Sequence, residues 1–181
     1  MEENRIPIGE EFIKRKILTK EEVDIVLNYQ QDHPDLKFGE IVDVLDMCDK
    51  QALLDVLSAN LGVKSAIIER KLSINPTNFL PSDIIITYRA LPFGIVGDTI
   101  CVAFANPQDK EQVEYVKNLI EKEGYKVEVY IALYTTILAH IEKIKNSKQV
   151  RMIFSDTNAE PELTEEDIED TIIEDLKKRL K

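Results

Sequence analysis

Apolar residues recur at three- and four-residue intervals through about Gly62, and beyond that point the period shortens toward two. Thr19 followed by Glu22 predicts a capping box. The Thr19 hydroxyl accepts from the Glu22 amide while the Glu22 carboxylate reaches back, and Val23, Val26 and Leu27 form the stripe of the helix that follows. Asp49 is the predicted cap of a further helix with Leu53, Val56 and Leu57 inward and Gly62 as its left-handed stop. His33-Pro34-Asp35 punctuates the connection, and His33 reads as a solvated loop residue.

These helices belong to two copies of one unit, residues 8–30 and 37–60, offset by thirty positions. Ile8-Gly9-Glu10 falls on Phe38-Gly39-Glu40, Phe12 on Val42, Ile17-Leu18 on Met47-Cys48, and Lys20 on Lys50. Val23 falls on Leu53, Val26-Leu27 on Val56-Leu57, and Gln30 on Asn60. Amphipathic helices match one another at apolar positions by chance, but not at Gly-Glu and the closing amides as well. A short helical pair cannot bury its apolar face alone, so the copies should pack together and bring equivalent turns onto one surface.

From Val63 to Asn146 the pattern is that of strands and helices in alternation. Ser65–Ile68 is a short apolar run, and Ala90–Val96 and Thr99–Ala105 flank Gly97-Asp98, a hairpin turn. A helix is expected to start at Asn106-Pro107, carrying Val113, Val116, Leu119 and Ile120, with Gly124 past its end. Lys126–Ala132 alternates as a strand. Thr135–Lys145 reads as a closing helix with Ile137, Leu138, Ile141 and Ile144 inward and His140 at its boundary. Pro81–Arg89 supports either of two readings: Ile84-Ile85-Ile86-Thr87 favours a strand, and Pro81 before Ser82-Asp83 favours a helix start. In the helical case the order is strand, helix, hairpin, helix, strand, helix. The fold class is then α+β, with a helical tandem-repeat subdomain (1–62) packed on a small α/β sandwich (63–146) and an acidic tail (147–181).

In that tail, Ser155–Glu162 reads as linker and Thr164 as an N-cap. Ile168, Ile172, Leu176 and Leu180 then make one narrow stripe at four-residue intervals. Acidic residues at 165–167 and basic residues at 177–179 suit the helix dipole. Such a stripe is a candidate docking surface whose cover comes from the chain's own domain, a second copy of the chain, or a partner. An acidic linker that is only partly helical is the alternative.

The chain has 181 residues, 44% hydrophobic and 31% charged, with a formal net charge of −11. That charge disfavours nonspecific binding to nucleic acid or anionic membrane, both of which need basic surface. No apolar run approaches a membrane span and the N-terminus lacks signal-peptide character, so a cytoplasmic protein without membrane insertion is expected. Cys48 and Cys101 occupy apolar positions without CxxC spacing and read as buried thiols. There is no GxxxxGK[ST], HExxH, GxSxG or EF-hand pattern, and carboxylates fall mainly in charge runs such as Glu165–Asp170. The expectation is a non-enzymatic chain with no cofactor and no metal site.

The repeat resembles the tandem motif in the N-terminal domains of type II secretion and type IV pilus assembly ATPases, the MshEN-type module. In that family each copy begins with Arg-Leu-Gly and ends with a helix closed by Gln. The counterparts are Pro7-Ile8-Gly9 through Gln30 and Lys37-Phe38-Gly39 through Asn60. Phe79-Leu80-Pro81, Tyr88-Arg89-Ala90-Leu91-Pro92-Phe93 and Ile100–Pro107 are similar to the family's later segments, so the likeness spans residues 7–146. It implies a short helix before Tyr88-Arg89. It also implies a regulatory or protein-interaction module that couples a hexameric motor to the inner-membrane assembly platform.

A subset of the family binds cyclic di-GMP across the two motifs, which here would use Ile8, Gly9, Gln30, Lys37, Phe38, Gly39 and Asn60. The sequence departs from that pattern. Pro7 and Lys37 replace the motif arginines, losing guanidinium donors, and Lys16 and Asp46 stand where motif glycines precede Ile17 and Met47. Asn60 shortens the second closing amide, and the Gln31–Leu36 spacer is one residue longer than usual.

Overall fold

Residues 7–154 are described by the structure, a computed structural model, with side chains through Ser147. Four helices come first: α1 (Ile8–Lys14), α2 (Lys20–Asp32), α3 (Phe38–Val44) and α4 (Lys50–Leu61). The starts of α3 and α4 lie thirty residues after those of α1 and α2, as the repeat requires. Thr19 Oγ1 accepts from the Glu22 amide at 3.2 Å while the Glu22 carboxylate accepts from the Thr19 amide at 2.7 Å. Asp49 caps α4 by accepting from the amides of Gln51 and Ala52, and Gly62 ends it at φ 65°.

The two short helices end alike. In the first copy the Lys16 amide bonds the Ile13 carbonyl and the Ile17 amide bonds the Phe12 carbonyl. In the second, the Asp46 amide bonds the Asp43 carbonyl and the Met47 amide bonds the Val42 carbonyl. This is the Schellman arrangement, whose left-handed residue is usually glycine. Here it is Lys16 at φ 57° and Asp46 at φ 53°.

Beyond the repeat come β1 (Lys64–Ser65), a 3₁₀ turn (Pro76–Asn78), α5 (Ser82–Tyr88), β2 (Ala90–Val96), β3 (Thr99–Phe104), α6 (Lys110–Glu121), β4 (Lys126–Ile131) and α7 (Tyr134–Phe154). The sheet order is β1-β4-β3-β2, with β4 parallel to both β1 and β3 and β2 antiparallel to β3. Gly97 turns the hairpin at φ 62°. The β2–β3 register shifts between Pro92 and Gly94, so β2 is bulged at Phe93.

The fold class is the expected α+β, and the ambiguous Pro81–Arg89 segment is helical. Three readings need correction. The helix expected at Asn106-Pro107 begins at Lys110, because the Asp109 carboxylate accepts from both the Glu111 and Gln112 amides while Asn106 closes a turn onto the Gln108 amide. Helix α7 continues to Phe154, well past Lys145. Leu27, placed on the inward stripe of α2, is 45% exposed. The predicted tail segment with Ile168, Ile172, Leu176 and Leu180 lies outside the described residues.

One apolar cluster runs from the repeat into the sheet, taking in Phe12, Val26, Ile41 and Leu54 as well as Leu91, Val102, Ile120 and Ile137. Helix α3 joins the two parts by packing on α2 and α4 and on α7. It is buried along its whole length.

Candidate functional site

The N-terminus of α3 faces the β3–α6 loop and the β4–α7 corner across a narrow cleft. Four of the sequence-predicted residues meet there: Ile8, Lys37, Phe38 and Gly39. Leu57, Leu61, Asn106, Gln108 and Tyr134 complete much of the wall. Three predicted residues lie elsewhere. Gly9 is buried, where a Cβ would come within 2.9 Å of Val23 Cγ1. Gln30 donates from Nε2 to the Leu36 carbonyl at 2.8 Å, tying the end of α2 to the inter-copy connection. Asn60 is half-buried near the end of α4 and does not line the cleft.

The interior volume of this cleft is about 40 Å³, room for roughly one water, whereas ligand pockets usually offer ~300–1,000 Å³. Gly39 explains the tightness. A Cβ there would stand 2.6 Å from Leu57 Cδ2, so the missing side chain lets α4 approach α3 and Leu57 occupies the space.

A polar extension shares Lys37, Glu40, Asn106 and Gln108 with the cleft and adds Asp35, Thr87, Arg89, Asp109 and Gln112, enclosing about 480 Å³. Its charges are two cations, Lys37 and Arg89, against three carboxylates, Asp35, Glu40 and Asp109. Glu40 is the organising group. It is only 4% exposed, accepts from the Lys37 amide at 2.8 Å, and holds Oε1 3.5 Å from the Arg89 guanidinium. Burial pushes its carboxyl pKa above the usual range, opposed by the Lys37 amide and by Arg89. Arg89 also lies over the Tyr134 ring, 5.0 Å from its centroid. It sits at the C-cap of α5 in the left-handed conformation, φ 47°.

One turn along α3, the buried Asp43 accepts from the Thr135 amide at 2.8 Å, supplying from another element the N-terminal cap of α7. Glu40, Asp43 and Arg89 were not among the predicted site residues. The alignment of Glu40 with Glu10 and the position of Arg89 in the Tyr88–Phe93 segment were the available signals.

Other titratable groups offer little chemistry. His33, expected in solvent, is half-buried and stacked on Tyr29 at 4.1 Å. His140 is buried, with Nε2 3.1 Å from the Glu69 carbonyl. Cys101 is buried and Cys48 half-buried, and desolvation raises both thiols, Cys48 to about 11, so neither is a ready nucleophile. Among the described residues no group of three or more His, Cys, Asp or Glu side chains could hold a metal ion, and no helix is long and apolar enough to cross a membrane.

Comparison with known proteins accounts for the fold. Residues 61–150 match the MshEN domain family. A solved structure of MshE with cdg (cyclic di-GMP) is 23% identical, covers 77% of this chain and 99% of its own, and superposes with a TM-score of 0.56. The N-terminal domain of XpsE is 17% identical, covers 79% of this chain and 98% of its own, and has a TM-score of 0.55. No curated protein matches the chain. At these identities the two structures establish a shared fold that extends over the helical repeat. The family match is thus confined to residues 61–150, and beyond them the likeness to the MshE and XpsE structures is one of fold.

Proposed function

We propose that this chain is a non-catalytic cytoplasmic module that couples a secretion or pilus motor to its inner-membrane assembly platform through protein contact. The observation that carries this reading is the cleft at the repeat junction. Its interior of about 40 Å³ is filled by Leu57 against Gly39, and its polar extension has more carboxylates than cations. A dianionic dinucleotide would have to displace Leu57 and overcome the carboxylates, whereas a protein partner needs neither step. Exposed Ile13, Ile25 and Leu27 on α1 and α2 offer apolar contact area away from the cleft.

The second reading is a cyclic di-GMP receptor. It is supported by the likeness to MshE with cdg and by the convergence of Ile8, Lys37, Phe38 and Gly39. Calorimetry decides between the two. The purified chain should give no binding heat with micromolar cyclic di-GMP, and it should be retained by the cytoplasmic domain of the platform protein. A micromolar dissociation constant that is lost in Lys37→Glu would establish the receptor instead.

A further inference from the structure

The two copies of the repeat are not held alike. Helix α1 packs on α2 and α4, and α2 on α1 and α3, whereas α3 also packs on α7 and α4 on β1 and β4. Two buried carboxylates of α3 reach the sandwich, Glu40 at the Arg89 guanidinium and Asp43 at the Thr135 amide. The first copy has no such link. Among the described residues, the side-chain hydrogen bonds of residues 8–32 stay inside the copy, apart from that of Gln30 Nε2 to the Leu36 carbonyl. Burial follows the same division. Helix α3 is buried throughout, but α1 buries only Gly9 and Phe12, and α2 only Val23 and Val26.

We infer that residues 8–32 form a lid that opens as a unit, while the second copy stays with the sandwich as one body. The mechanical boundary then falls at His33-Pro34-Asp35 and not at Gly62. Leu36, 1% exposed, anchors the far side of that hinge, and the Gln30 bond is the latch across it. The lid covers the Phe38 ring. Phe12 packs against it with centroids 5.7 Å apart, and a Cβ on Gly9 would lie 3.5 Å from Phe38 Cε2. The lid also supplies the Ile8 wall of the cleft. Opening therefore uncovers Phe38 and the start of α3, whatever engages the cleft. The closed form carries a local cost. Tyr29 Oη, on the lid, is the one buried side-chain polar atom without a hydrogen-bond partner among the described residues, a desolvation penalty that opening relieves. Elements that bury few apolar side chains open locally at lower free energy than the core they cover.

Native-state hydrogen exchange on the full chain, at several urea concentrations below the unfolding transition, tests this. Amides of α1 and α2 should share one opening, with protection roughly tenfold or more below that of α3, α4, β3 and β4. Ile120→Val, in the sandwich core, should lower protection severalfold in α3, α4, β3 and β4. It should leave α1 and α2 unchanged, because the lid opens while the core stays folded. Gln30→Ala should lower protection in α1 and α2 roughly fivefold by removing the latch. The inference is overturned if Ile120→Val lowers protection at all these amides alike, since the chain then opens as one unit. It is equally overturned if α3 and α4 exchange together with α1 and α2, because the boundary is then Gly62. Unchanged protection of α1 and α2 in Gln30→Ala overturns the latch.

Discussion

Replacing Lys16 by glycine should stabilise this protein, although the same replacement in an ordinary helix would weaken it. Lys16 holds φ 57° at the C-terminal turn of α1, where its amide and that of Ile17 close a Schellman motif. The left-handed conformation costs an L-residue about 1–2 kcal/mol through the contact of its Cβ with the following carbonyl. Glycine escapes that cost but loses about 0.4–1 kcal/mol through the larger entropy of its unfolded chain. The difference favours Lys16→Gly over Lys16→Ala by roughly 0.5–1 kcal/mol. With a denaturant slope of about 1–3 kcal/mol per molar urea, the midpoint should rise by a few tenths molar.

Comparison with alanine removes whatever the lysine side chain contributes. Asn28, exposed within α2, provides the control, since there alanine should exceed glycine by about 0.5–1 kcal/mol. Asp46→Gly should gain less than Lys16→Gly, because aspartate tolerates the left-handed region better than lysine does. Urea unfolding followed by circular dichroism reads all of these variants. If Lys16→Ala is as stable as Lys16→Gly, the backbone at this turn is not strained and the account fails.

Gly39→Ala should destabilise the protein by about 1–3 kcal/mol, because its Cβ would stand 2.6 Å from Leu57 Cδ2. A double-mutant cycle with Leu57→Ala should recover part of the loss, and strict additivity would show that the two residues do not compete for the same space. His140 makes stability depend on acidity. Desolvation, with Lys143 adding, lowers its pKa below the ordinary 6.5, so the unfolded chain binds its proton first. Its contribution is complete above pH 6.5 and is lost as pH falls toward the depressed folded value. Unfolding at pH 7.5 and 5.5 should therefore show a larger decline for wild type than for His140→Gln, and equal declines would contradict the assignment.

The parts of the fold that were legible in the sequence are those decided by short-range chemistry. Thr19 with Glu22, Asp49, Gly62 and Gly97 each act on amides or dihedrals within a few residues, and each does what its type predicts. The start of α6 was misplaced because two local signals competed, and the Asp109 carboxylate prevailed over Pro107 by satisfying two amides. Leu27 shows the limit of periodicity. Its counterpart Leu57 packs against Gly39 of α3, whereas in the first copy Val23 rather than Leu27 stands against Gly9 of α1, and Leu27 is left facing water. Glu40 and Asp43 looked like ordinary helix carboxylates. Their burial depends on Arg89 and on the Thr135 amide, partners that only the tertiary fold brings near. For the same reason Ile8, Lys37, Phe38 and Gly39 could be grouped in advance, while the small volume between them could not.

The bulge in β2 restricts how this molecule can be joined to others. β2 is an outer strand, and at its middle Pro92 has no amide hydrogen to offer while Phe93 throws the backbone out of register. The opposite margin is β1, only two residues long. Among the described residues, neither the bulged β2 nor the two-residue β1, which covers β4 only at Tyr130 and Ile131, presents a long continuous row of donors and acceptors on which a foreign strand could zip. Lengthening the sheet across a molecular boundary is thereby disfavoured, and association is favoured at helix surfaces and loops, where side chains rather than backbone decide the choice of partner.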